Sequence, residues 1–132
     1  MKLHLDQYNG NYFNSYRPGE CTIQDVVYRR SIVVRSADIQ DWAPQTFEDL
    51  KEADFEQLLS LDPEVILFGS GQRICFPNPR LTQKLLLRSV GFEVMDSMAA
   101  CRTFNILAAE NREVVAALIL GDIQATNPPN QS

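Results

Sequence analysis

PEVILFGSGQRICFP, residues 63–77, decides the fold. Val65 to Phe68 is a four-residue apolar run fenced by Pro63 and Pro77. A run of that length is too short for a helix and suits a strand buried on both faces of a sheet. Gly69-Ser70-Gly71 then ends it, because glycine turns where a Cβ would clash and lets another backbone or a ligand come close. Open α/β sheets place their ligand crevice at the carboxyl end of such a strand. The stretch therefore marks a place for a site without naming a reaction.

Downstream, helix and strand patterns alternate. Arg80 to Val90 sets Leu81, Leu85, Leu86 and Val90 on one broad face with Lys84 and Arg88 outside, which predicts an amphipathic helix, and Gly91 is its expected stop. Phe92 to Met95 reads as a second strand. Asp96-Ser97 then caps a helix whose inner stripe is Ala100, Phe104, Leu107 and Ala108, and Asn111 suits its left-handed end. Val114 to Leu120 is a third, fully buried strand. This alternation calls for a layered α/β sheet.

Upstream, the chain is β-rich. Leu3 and Leu5 alternate with polar neighbours as in a short opening strand, and Asn9-Gly10-Asn11 is turn chemistry. Arg17-Pro18-Gly19-Glu20 has the type II turn pattern, so Asn11–Tyr16 and Cys21–Ile23 are expected to pair as a hairpin. Gln24-Asp25 makes another break. Val26–Tyr28 and Ser31–Arg35 read as further strand. Ser36–Pro44 reads as an irregular connection holding Trp42. Thr46 and Asp49 cap a turn, and Asp54 with Gln57 forms a capping-box pattern before Phe55, Leu58 and Leu59. Asp62-Pro63 ends that helix.

The chain has 132 residues, enough for one domain that buries roughly two thirds of its unfolded surface. We expect that domain to span residues 1–124, with a disordered tail over 125–132 that has nothing to bury. The net charge of −5 argues against nonspecific binding to nucleic acid or to an anionic membrane, both of which need a basic face. Seven carboxylates against Lys51 alone crowd Asp38 to Glu56; they read either as a solvated face or as a docking surface for a basic protein partner. Cys21, Cys75 and Cys101 are odd in number and form no CxxC, so neither a disulfide framework nor a zinc site is suggested, and a reducing cytoplasm is the expected compartment. No run approaches a membrane span, and the N-terminus lacks the character of a signal peptide or mitochondrial presequence.

Chemistry is sparse. His4 is the single histidine, so a Cys-His or Ser-His dyad would have to use it. Gly69-Ser70-Gly71 is not a nucleophile elbow, because Phe68 stands where G-x-S-x-G needs glycine. Nor is it a dinucleotide fingerprint, because Ile74 stands at the third glycine. The more informative block is Asp96 to Asn105, DSMAACRTFN. The free amides of a helix capped by Asp96 or Ser97 would face the neighbouring glycine turn, and helix N-termini attract anions. The candidate is a small polar-ligand or anion pocket made by Gly69, Ser70, Gly71, Asp96, Ser97, Cys101, Arg102 and Thr103. The helix dipole would lower the Cys101 pKa and make it a reactive thiol. The competing reading makes Cys101 a buried small hydrophobe and Asp96 only a cap. No catalytic residue, metal or cofactor is assigned.

PEVILFGSG together with GFEVMDSMAACRTFNILAAENREVVAALIL resembles the Mth-domain family, a domain family of unknown function (DUF498), over roughly Asp25 to Leu120. Ser70, Phe104 and Asn111 depart from its commoner Thr, Tyr and Gly. The resemblance implies a single three-layer α/β domain with a mixed central sheet, helices on its faces and an added N-terminal β-hairpin region. The family includes mitochondrial complex I assembly factors but has no agreed catalytic residue. The resemblance therefore implies a non-enzymatic accessory role in assembling a respiratory or membrane complex, for a cytoplasmic protein of bacterial type. A ligand-binding or enzymatic use of the Ser70–Asp96 region is the alternative.

Overall fold

The computed structural model describes residues 8–121. The expected opening strand with His4 and the expected tail at 125–132 lie outside them. Eight strands and three α-helices follow in order: β1 Phe13–Arg17, β2 Glu20–Ile23, β3 Val26–Tyr28, β4 Ile32–Val34, β5 Ile39–Asp41, α1 Glu52–Leu59, β6 Val65–Gly69, α2 Pro79–Leu87, β7 Gly91–Met95, α3 Ser97–Ala109 and β8 Val114–Leu118.

The main sheet is mixed, in the order β5-β4-β8-β6-β7. β6 lies between β8 and β7 and is parallel to both, so Gly69 faces Leu118 on one side and Met95 on the other. β4 joins β8 antiparallel and β5 joins β4 antiparallel. The period-two alternation of a strand sorts each side chain to one face. Val65, Leu67, Val114, Ala116 and Leu118 point to one side, into a core shared with Ala100, Cys101, Phe104 and Ala108 of α3. Ile66, Phe68, Val115 and Ala117 point to the other, into a core shared with Phe55 and Leu58 of α1, Leu85 of α2, and Trp42. The second core is aromatic: Phe68 meets Trp42 and Phe55 edge-on at 5.9 Å each, the geometry ring quadrupoles favour.

The hairpin grows into a three-stranded antiparallel sheet, β1-β2-β3, separate from the main one. Gly19 has φ 90°, as the type II turn requires. Gln24 and Asp25, at φ 47° and 71°, both adopt the left-handed conformation of a tight hairpin turn. Phe13, Cys21 and Ile23 of this sheet complete the α3 side of the core.

Four local expectations are corrected. The Ser36–Pro44 connection contains β5, an edge strand whose polar Gln40 and Asp41 conceal the alternation that marks a half-buried strand. α1 begins before Asp54: Lys51 holds the cap position, and Asp54 sits at the third helical place, where its carboxylate accepts the Lys51 amide at 2.8 Å. α2 ends at Leu87 with Arg88 as its cap, and Ser89 takes the left-handed φ of 59° expected of Gly91, which instead opens β7. Leu86, expected inside, is 80% exposed, because α2 anchors through Leu85 and half-buried Leu81, and Leu86 falls off that line.

The acidic stretch is largely occupied by local partners. Asp38 pairs with Arg35, Asp41 with Arg30, and Glu52 and Glu56 with Lys84. Asp49 accepts the Thr46 amide at 3.3 Å, as Asp54 does that of Lys51. These contacts answer to capping and pairing, and they give the stretch a structural use that needs no basic partner.

Candidate functional site

The glycine turn after β6 and the start of α3 stand side by side, as two parallel neighbouring strands dictate. Ser70 N–H donates to the Met95 carbonyl at 2.9 Å and Ile119 N–H to the Gly69 carbonyl at 2.9 Å, extending both parallel ladders by one residue. Ser97, fully buried, ties the three strand ends together. Its amide donates to the Gly71 carbonyl at 2.8 Å, its hydroxyl accepts the Gly71 amide at 2.9 Å, and the hydroxyl proton goes to the Ile119 carbonyl at 2.5 Å. Gly69 makes this approach possible. A Cβ there would stand 2.7 Å from Leu118 Cδ2, 2.8 Å from Ser97 Oγ and 3.0 Å from Ser97 Cα.

The amides of Ser70, Gly71, Ser97 and Ala99, expected to await a ligand between the two turns, are thus used by the protein itself. Asp96 accepts the Ala99 amide at 2.9 Å as a helix cap. Ser70 Oγ donates to the Arg73 carbonyl at 2.6 Å and accepts the Cys75 amide at 2.9 Å, folding the following loop back on itself. The candidate residues then part company around two different concavities. Ser70 and Gly71 line a cavity of about 590 Å³ with Phe47, Glu48, Arg73 and Cys75, at the carboxyl ends of β6 and β8. Cys101 and Arg102 line another of about 300 Å³ with Asn14, Ser15, Tyr16 and Asn105, between β1 and α3. Gly69, Asp96, Ser97 and Thr103 line neither.

Cys101 departs from its expected activation. It is 4% exposed, on the inner face of α3. Burial pushes its pKa far up, with Cys21 and Asp96 adding to the rise. A thiolate has no water to solvate it there, and that penalty exceeds the dipole's attraction at the second turn of the helix. Cys21 is pushed up to about 12, also by burial. Tyr16 likewise rises to about 12, chiefly by burial, while its hydroxyl donates to the Leu120 carbonyl at 2.5 Å. Arg102 is exposed and Thr103 half-buried. Among the described residues no group of three or more His, Cys, Asp or Glu stands close enough to share a metal ion.

Sequence reasoning missed the Gln45–Glu48 side of the larger cavity, because that segment reaches it only through tertiary folding. It also missed Asn105, whose side chain exchanges two hydrogen bonds with the Phe13 backbone. Its signal was present: Asn105 closes the DSMAACRTFN block, on the partly buried side of α3.

A mixed five-stranded sheet with α3 and a small antiparallel sheet on one face, and α1 and α2 on the other, defines a Mth938-like α/β domain. Such a domain from Bordetella pertussis superposes with a TM-score of 0.75 at 29% identity, covering 89% of this chain and 90% of that one. The chain belongs to the family described as a protein of unknown function (DUF498/DUF598), whose pattern matches residues 13–119. A crystal structure from Bordetella parapertussis is 35% identical with a TM-score of 0.80, over 88% of this chain and 99% of that one. Human NADH dehydrogenase [ubiquinone] 1 alpha subcomplex assembly factor 3 is 30% identical over 122 residues, 89% of this chain but 60% of the human protein. The shared domain is therefore about three fifths of that relative's length. Among the described residues no helix is long and apolar enough to cross a membrane.

Proposed function

We propose that this protein is a non-enzymatic accessory factor that binds a protein client during assembly of a respiratory or other membrane complex, acting in the cytoplasm. The observation that carries this reading is the 30% identity to human assembly factor 3 across 89% of this chain. The site chemistry supports it: Ser97 is spent on strand ends, Ser70 on the loop that follows it, and burial keeps Cys101 protonated. Affinity purification of the tagged chain from its own host, in mild detergent, tests the reading. Enrichment of subunits of one membrane complex, with less of the assembled complex on native gels after gene deletion, is expected. Deletion cells with normal amounts of every respiratory complex, and no membrane-complex subunit enriched, would overturn it.

A second reading is supported by the cavity of about 590 Å³ beside Ser70 and Gly71, because the carboxyl ends of adjacent parallel strands are the usual ligand position in α/β sheets. Arg73 and Glu48 at its walls suit a small polar ligand. A thermal-shift screen of small carboxylates and amides checks it, with Arg73→Ala expected to abolish any stabilisation found.

A further inference from the structure

The three most exposed large apolar side chains among the described residues, Leu87, Leu86 and Phe76, come from one stretch, which also holds Ile74. Leu86 and Leu87 are 80% and 81% exposed, Phe76 is 70% and Ile74 is 52%. Ile74 and Phe76 lie in the loop that leads into α2, and Leu86 and Leu87 end the helix. Leu85, at 1% exposure, fixes which way α2 faces. At about 100° per residue, Leu87 falls roughly opposite Leu85, and Arg80 and Gln83 fall beside Leu87. The outward face of α2 therefore presents leucines where an ordinary surface helix presents polar groups. Exposed apolar groups gathered in this way mark a contact surface.

The charge of the same stretch is opposite to that of the chain. Between Glu64 and Glu93 there is no carboxylate, while Arg73, Arg80, Lys84 and Arg88 are present, in a chain of net charge −5. Lys84 is held by Glu52 and Glu56 of α1. Arg73, Arg80 and Arg88 are exposed, and none of the ion pairs among the described residues engages them.

We propose that α2 and the loop before it form a peripheral membrane-binding face. The exposed Phe76, Leu86 and Leu87 enter the boundary of an anionic bilayer, and Arg73, Arg80 and Arg88 meet the lipid phosphates. A helix of nine residues is too short to span and suits lying in the plane of the interface, where binding adds apolar burial to attraction by anionic lipid. Guanidinium groups pair with phosphate through two parallel hydrogen bonds. Charge also selects among occupants. A second copy docking on this face about a two-fold axis would bring two faces of the same positive charge together, whereas an anionic surface meets all three arginines.

The test is co-sedimentation of the full chain with vesicles of phosphatidylcholine alone, or of phosphatidylcholine with a minority of phosphatidylglycerol, at low salt. Binding to the anionic vesicles only is expected. Leu86→Ser with Leu87→Ser, and separately Arg80→Gln with Arg88→Gln, are each expected to weaken it about tenfold or more. These positions are exposed, so an unchanged melting temperature verifies that the variants fold. No binding of the full chain to anionic vesicles, or equal binding to neutral ones, overturns the proposal. So does a dimer in sedimentation velocity that Leu87→Ser dissociates, which assigns the face to a second copy. Retention on polyglutamate without vesicle binding assigns it to an acidic protein and overturns it as well. Pure vesicles contain no protein complex, so this outcome is independent of the assembly assay above.

Discussion

Asn105 and Phe13, ninety-two positions apart, are bonded as though they were neighbours in a sheet: the Phe13 amide donates to Asn105 Oδ1 at 2.8 Å, and Asn105 Nδ2 donates to the Phe13 carbonyl at 2.9 Å. A side-chain amide has the donor and acceptor of a peptide group, so a single helical residue satisfies the start of β1 and pins the small sheet to α3. Asn105→Ala removes both partners from a half-buried backbone. A loss of about 2–3 kcal/mol is expected, from two bonds each contributing ~1 kcal/mol plus some uncompensated desolvation. Urea denaturation measures it, and Asn105→Asp, which keeps only an acceptor, is expected to fall between the two.

Phe104 lies one residue earlier, fully buried, with its ring 5.5 Å from that of Phe13 at 89°. Phe104→Ala empties the contact between α3 and both sheets, and about 3–5 kcal/mol is the expected cost. The unfolding midpoint reports it; a loss below ~1 kcal/mol would contradict the packing described.

Gly69→Ala discriminates between two accounts of the glycine turn. At an ordinary open position this change stabilises by about 0.4–1 kcal/mol, through the entropy of the unfolded chain. At Gly69 the new methyl would meet Leu118 and Ser97 at 2.7–3.0 Å. Destabilisation by about 1–3 kcal/mol is therefore expected. The sign of the shift in melting temperature decides the matter.

Cys21 and Cys101 give the fold an alkaline limit. Their folded pKa values lie above the ordinary 9.0, with Cys21 at about 12, because burial disfavours the thiolate. The unfolded chain releases these protons first as pH rises, so their contribution to stability is complete below pH 9 and is lost progressively above it. Tyr16, raised from 10.0 to about 12, adds to the loss in the same direction. Denaturation midpoints should be insensitive to these groups at neutral pH and fall above pH 9, with a shallower fall in Cys21→Ala. Iodoacetamide at neutral pH should modify half-buried Cys75 well before Cys101, which mass spectrometry of digested protein resolves.

Much of the fold was legible along the chain because its signals are local. The apolar run at Val65–Phe68, the Gly19 turn, the Asp96 cap and the Asn111 stop each depend on a few neighbouring residues, and each constrains only its own backbone. Where a second element competes for a residue, local reading fails. Leu86 looks internal by helical spacing, yet α2 turns Leu85 and Leu81 to the core and leaves Leu86 outside. β5 looks irregular because its partner β4, and not its own pattern, makes it a strand.

The candidate site shows the same division more sharply. Composition and spacing alone determined that the glycine turn and the start of α3 follow parallel strands, and that Asp96 caps a helix; both are matters of one chain segment and its neighbours. Only the tertiary structure decided that Ser97 fills the space between them, that Cys101 faces a core where a charge cannot be solvated, and that Asn105 reaches back to Phe13. Contact, burial and electrostatic environment belong to pairs of residues brought together from distant positions, and no single stretch of the sequence contains both partners.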